Sequence, residues 1–302
     1  MNRGPSSISR RSWLLGTMAL VAAGPPDDPR IAAIRARGRK AAMQGFDESE
    51  SAHYVGIGDT PIKFREDALA ICEAVATDYF KHFKAKGFQI AWPKEKLVAV
   101  VLLGPKSYAE YMGGFIDEAI GGHFDLKMNE LVMFDFRGPG ANPKAPVPEQ
   151  DNTLALVHEA FHQLTFNSGL LDLGADIPLC IIEGLATYAE TWSPRRKKQL
   201  GEKNDRRLLG LTLANKQGVK WIPLAKLIAE DKLFDDEKTQ QIAYAESWLL
   251  VSKLLRDSSK LPKIRDYLAT LREKPDPARR IEIATEHLGD LEKLDKEIHS
   301  GR

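Results

Sequence analysis

Near the middle of the chain, His158-Glu159-Ala160-Phe161-His162 sets two imidazoles four positions apart, with a carboxylate directly after the first. On a helix, residues i and i+4 stand one above the other, so both rings project from one face at a spacing that suits a single metal ion. Glu159 is turned by about 100° from His158. It therefore stands beside such a metal, where it can take a proton from a water held there. The stretch Asp151 to Phe166 (DNTLALVHEAFHQLTF) has the matching pattern, because Leu154, Val157, Phe161 and Leu164 form an apolar stripe at helical spacing. The histidines border this stripe and should be substantially buried. Asp151 or Asn152 is the expected cap and Asn167-Ser168-Gly169 the expected stop.

A hydrolytic zinc needs a third protein ligand and an open position. The next helical pattern, Pro178 to Trp192 (PLCIIEGLATYAETW), places Glu183 directly after Leu179-Cys180-Ile181-Ile182. A carboxylate following four apolar residues near the start of a buried helix needs a partner, and a metal held by two histidines is a good one. Glu190 lies seven positions further, two turns along the same face, placed to accept a hydrogen bond from a ligand imidazole and orient it.

The pair H-E-x-x-H (158–162) and E-G-x-x-x-Y-x-E (183–190) resembles the gluzincins, metallopeptidases whose zinc is held by two histidines and a glutamate. The resemblance implies Zn2+ on His158, His162 and Glu183, with Glu159 as general base and a peptide or protein as substrate. The chain is also similar to an uncharacterised group of exported bacterial proteins, the domain of unknown function 1570, described as peptidase-MA-like. That similarity extends to Tyr244-Ala245-Glu246-Ser247-Trp248 and covers about residues 51 to 260. No G-x-M-E-N stretch is present, so the aminopeptidase branch is not implied. The oxyanion of such a reaction wants a second donor. Tyr188, five residues past Glu183, falls about 140° around the helix and points away. Tyr244, in the segment shared with the resembled group, is the preferred donor, with His123 a weaker candidate.

Two function classes follow. The first is an exported zinc-dependent hydrolase, foremost a peptidase. The second is a catalytically silent zinc-binding or scaffold protein that keeps the gluzincin frame. Glu159 favours the first, since a silent site has no need of a carboxylate there. Structural zinc sites also close with four protein ligands, and three are evident here.

The elements that must position these residues read as α+β: a small mixed sheet in residues 51–150, then a mainly helical part in 151–302 that carries the H-E-x-x-H helix, with the metal site in the cleft between them. Strands are expected at His53 to Ile57, Lys96 to Leu103 and Glu130 to Phe136, with a helix from Asp59 to Lys86 and a short one from Tyr108 to Phe115. Leu131 to Phe136 reads either as an edge strand, open to an extended substrate, or as an interior strand paired on both sides. Gly138 to Gln150, rich in proline and glycine, reads as a connector. Helical spacing continues near 208–217, 224–229, 239–256, 261–272 and 277–299. Cys72 and Cys180 fall on apolar helical faces and read as buried thiols.

Ahead of this, residues 24–50 form a linker and short helix, and residues 1–23 resemble a twin-arginine export signal. Ser9-Arg10-Arg11-Ser12-Trp13-Leu14 is followed by an apolar run to Ala23 that is too short to span a bilayer, which takes about 20 residues. The expectation is export to the periplasm or beyond, with no stable membrane anchor after cleavage. Removal of 1–23 takes Arg3, Arg10 and Arg11 and no acid, so the formal charge goes from +1 to −2. A nearly neutral protein lacks the basic footprint of a nucleic-acid binder. Oligomeric state is left open.

Overall fold

The apolar run around Val100 becomes β3 (Leu97–Leu102), the middle strand of a five-stranded sheet, buried along its whole length because both faces are covered. β2 (Tyr54–Gly58) pairs parallel on one side and β5 (Glu130–Phe134) parallel on the other. β1 (Asp47–Glu50) and β4 (Gly122–Asp125) close the two ends antiparallel, giving the order β1-β2-β3-β5-β4. The computed structural model describes residues 28–114, 121–140, 149–193, 198–216 and 218–300, so the expected export signal and much of the expected connector lie outside the described residues.

Strand alternation splits the sheet's side chains between two layers. Val98, Val100, Leu102, Val132 and Phe134 face α1 (Pro29–Lys40) and α3 (Pro105–Met112). Tyr54, Ala99, Val101, Leu131 and Met133 face α2 (Ile62–Ala85) and α4 (Glu149–Asn167). The second layer does not stop at α4. The same apolar cluster continues into α5 (Leu179–Ala189), α6 (Asp205–Lys216), α7 (Leu224–Ala229), α8 (Gln240–Arg256), α9 (Leu261–Arg272), α10 (Arg280–Leu288) and α11 (Leu291–Ser300). The fold is α+β as expected, and α4 stands where sheet and helices meet. Among the described residues no helix is long and apolar enough to cross a membrane.

Of the two roles open to Leu131–Phe136, the structure gives the interior one: β5 lies between β3 and β4, and β4 is the edge on that side. Two expectations need correction. α4 starts at Glu149, ahead of the expected caps. Asn152 instead ties the first turn to the preceding loop, accepting from Phe136 N–H (3.0 Å) and donating to Asp135 (2.8 Å). The side chain of Asp151 lies outside the described residues. Finally, residues 277–299 do not form one helix: a 3-10 turn at Pro277–Arg279 precedes α10, and Gly289, at φ +90°, separates α10 from α11.

Candidate metal centre

α4 is fixed from behind before it presents anything. The Gln163 amide donates to the Val98 carbonyl of β3 (2.9 Å), and the Ser168 hydroxyl meets that of Tyr79 on α2 (2.7 Å). α5 is held by α8 at unusually close range. A Cβ on Gly184 would lie 2.7 Å from the Ser247 carbonyl oxygen and 2.5 Å from a Val251 methyl, so only glycine lets these helices approach this closely. The residue before it is Glu183.

Held this way, the three predicted ligands converge. His158 Nε2 is 3.1 Å from Glu183 Oε2, His162 Nε2 is 3.2 Å from His158 Nε2, and His162 Nε2 is 3.5 Å from Glu183 Oε2. Ligands about 2.0 Å from a tetrahedral zinc stand about 3.3 Å apart, so the triangle has the right edge length for one ion. The chemistry of the donors fits as well. His158 Nδ1 donates to Glu190 Oε1 (3.2 Å), which leaves the Nε2 lone pair turned toward a carboxylate and a second imidazole. Three acceptors directed at one point need a cation between them. His158, His162 and Glu183 thus form a cluster able to hold a metal ion.

The electrostatics carry the same sign. Burial lowers the His158 pKa, but with no metal at Nε2 the hydrogen bonds to Glu183 and Glu190 outweigh it and hold the group up at about 10, a proton then taking the place on Nε2 that a metal would take. Burial raises Glu183, yet the two imidazoles beside it pull it far below the usual carboxylate range. Glu190 is held down at about 2, burial being overcome by hydrogen bonds from His158 and Arg207. The pocket favours positive charge at its centre and negative charge on its walls.

Around the triad lies a ring of residues, of which Glu159, Glu190 and Tyr244 are expected from the sequence and Asn204 and Arg207 are not. Glu190, the residue ending α5, accepts from His158 as expected. Its other oxygen accepts from Asn204 Nδ2 (2.9 Å) and Arg207 Nε (2.9 Å), and the Arg207 guanidinium also pairs with Oε1. Asn204 and Arg207 are 14 and 17 residues from Glu190 in the chain, and no periodicity links them to it. Arg207 also lies over the Tyr244 ring, 5.1 Å from its centroid. Burial first, then the charges of Glu183 and Glu159, push the Tyr244 phenol well above its ordinary value, so it stays a donor. Glu159 is half-buried on the same helix, one residue beyond His158.

Tyr188 turns away, as its helical angle requires, and its hydroxyl meets His82 Nε2 (3.0 Å). His123 sits on the edge strand β4 with its Nδ1 2.7 Å from the Tyr108 hydroxyl. Cys72 and Cys180 are free and buried, and burial pushes the Cys72 thiol up to about 12. A groove of about 990 Å3 lies away from the triad. It runs between α2 and the start of α4 over Phe64, Ile71, Leu154 and Trp192, and meets the ring only at Glu190 and Asn204. Among the described residues it contains no converging set of metal-ligating groups, so volume alone does not make it the reactive site.

Comparison with known proteins bears on this same region. Residues 152–275 match the family described as "Protein of unknown function (DUF1570)". The match opens in α4 and runs through α9, which takes in the triad, Glu190, Arg207 and Tyr244 but leaves the sheet outside. It is therefore narrower at the N-terminal end than the expected span from residue 51. No curated protein matches the chain.

Proposed function

We propose that the protein is an exported zinc-dependent hydrolase of peptide bonds, with His158, His162 and Glu183 as the metal ligands and Glu159 as general base. The observation that carries the reading is the triangle of ligand atoms at 3.1, 3.2 and 3.5 Å, with a carboxylate one residue past the first histidine. His158, His162 and Glu183 would hold a zinc ion, which would supply Lewis acidity and lower the pKa of a water. Glu159 would take the proton from the attacking water and give it to the leaving amine. Tyr244 donates to the oxygen on which negative charge develops. Glu190 keeps the His158 proton on Nδ1 and its lone pair on the ligand side. β4, the sheet edge beside α4, offers backbone groups to an extended chain, which favours a peptide as substrate.

The test is Glu159→Gln. The variant should bind zinc with wild-type stoichiometry, about one per chain, and lose hydrolysis of a peptide library by about 10²- to 10⁴-fold, the usual contribution of a general base. Wild-type protein that takes up zinc and cleaves nothing in the library would instead leave a silent metal-binding frame.

A further inference from the structure

Glu190 is almost wholly enclosed, with its side chain 2% exposed, and each oxygen accepts two donors: His158 and Arg207 on one, Asn204 and Arg207 on the other. A carboxylate has about four acceptor positions, so this one is saturated and cannot turn. Arg207 supplies half of those donors. It uses the edge of its guanidinium to do so, and the edge leaves the two faces of the plane free. Its Cζ lies over the ring of Tyr244, 5.1 Å from the centroid, and that ring is packed edge-on against Phe234 at 5.3 Å between centroids.

The two ligand imidazoles are not braced alike. His158 is held through Nδ1, whereas the buried Nδ1 of His162 has no hydrogen-bond partner among the described residues. Orientation of the ligand pair therefore depends on Glu190, and Glu190 depends on Arg207.

We propose that Arg207 is a positioning residue that couples two parts of the site, its edge locking Glu190 and through it the His158 ring, its face fixing the Tyr244 phenol. Lysine cannot replace it in both roles, because an ammonium is a point donor with neither a fork nor a flat face. The role assigned to Tyr244 and the effect on metal rest on the function proposed above. The coupling of the two rings does not.

The first measurement therefore needs no metal. In ¹⁵N-histidine-labelled, metal-free protein, Arg207→Met should shift the ring-nitrogen resonances of His158 and the ring-proton resonances of Tyr244, with circular dichroism unchanged. Arg207→Lys should restore His158 in part and leave Tyr244 displaced. Both rings unmoved in a folded Arg207→Met variant overturns the coupling. Should that variant not fold, Arg207→Lys decides alone: a displaced Tyr244 with His158 largely retained supports the coupling, and two native rings overturn it. The second measurement is cobalt(II) binding. Arg207→Met should bind the ion about 10- to 100-fold more weakly than wild type and change its visible absorption, the scale seen when a partner behind a ligand is lost. Equal affinity and an identical spectrum overturn the metal side of the inference. Wild-type protein that takes up no cobalt counts against the proposed function, and the resonance comparison still decides the role of Arg207.

Discussion

At the scale of single residues, chemistry is concentrated where local spacing could show it and completed where it could not. His158, Glu159 and His162 share one helix, so four positions of sequence fix their relation. Glu183 stood out because a carboxylate directly after four apolar residues needs a partner. Arg207 and Asn204 were illegible for the opposite reason, since only the turn after α5 carries them back to Glu190. Tyr244 sits between these cases: a resemblance pointed to it, and the fold brings it under Arg207 and within reach of the charges on Glu159 and Glu183. If its hydroxyl serves the developing oxyanion, Tyr244→Phe should lower kcat about a hundredfold and leave KM nearly unchanged, because the contact strengthens only in the transition state. An equal loss in both variants when Tyr244→Phe is combined with Arg207→Met, without further loss in the pair, would show that the two act as one unit.

At the scale of elements, strands with an apolar alternation were legible and the two sheet ends were not. β1 reads DESE and β4 reads GHFD, so neither carries a pattern of its own, and each is a strand because its neighbour offers a ladder. That is also why the place of β5 stayed open between edge and interior: the strand that covers it was invisible. The helices were read well by period, but their crossings were not, since close approach depends on single positions such as Gly184. Gly184→Ala should cost about 1–3 kcal/mol of stability, the range for overpacking a tight contact. It should also weaken zinc binding, because the alanine methyl pushes α5 and its carboxylate away from α8. A variant with native stability and native zinc affinity would mean that α8 yields instead.

At the scale of the whole molecule, pH reports on how the helices are tied together. Burial, helped by the nearby Lys86 charge, holds the His82 imidazole down at about 4, where it meets the Tyr188 hydroxyl and links α2 to α5. An unfolded histidine titrates near 6.5. Between these values the unfolded chain binds a proton that the folded chain refuses, so stability should fall as pH drops from about 6.5 toward 4. His123, also lowered chiefly by burial, acts in the same sense, and His158, held up at about 10, contributes a change only above pH 6.5. Thermal melts of metal-free protein between pH 7 and 4.5 should show the decline, and His82→Asn should flatten it. An unchanged slope in that variant would assign the decline to other groups.

The apolar cluster that runs from the sheet through α4 into the C-terminal helices has a practical consequence. Ligand helices embedded in a shared interior cannot loosen by themselves, so occupancy of the triad should be felt by the entire polypeptide as one melting event. An ion present at a hundred times its dissociation constant adds about 2.7 kcal/mol to the folded state, enough to move that event by several degrees. A thermal-shift series across divalent cations would then rank their affinities before any substrate has been found.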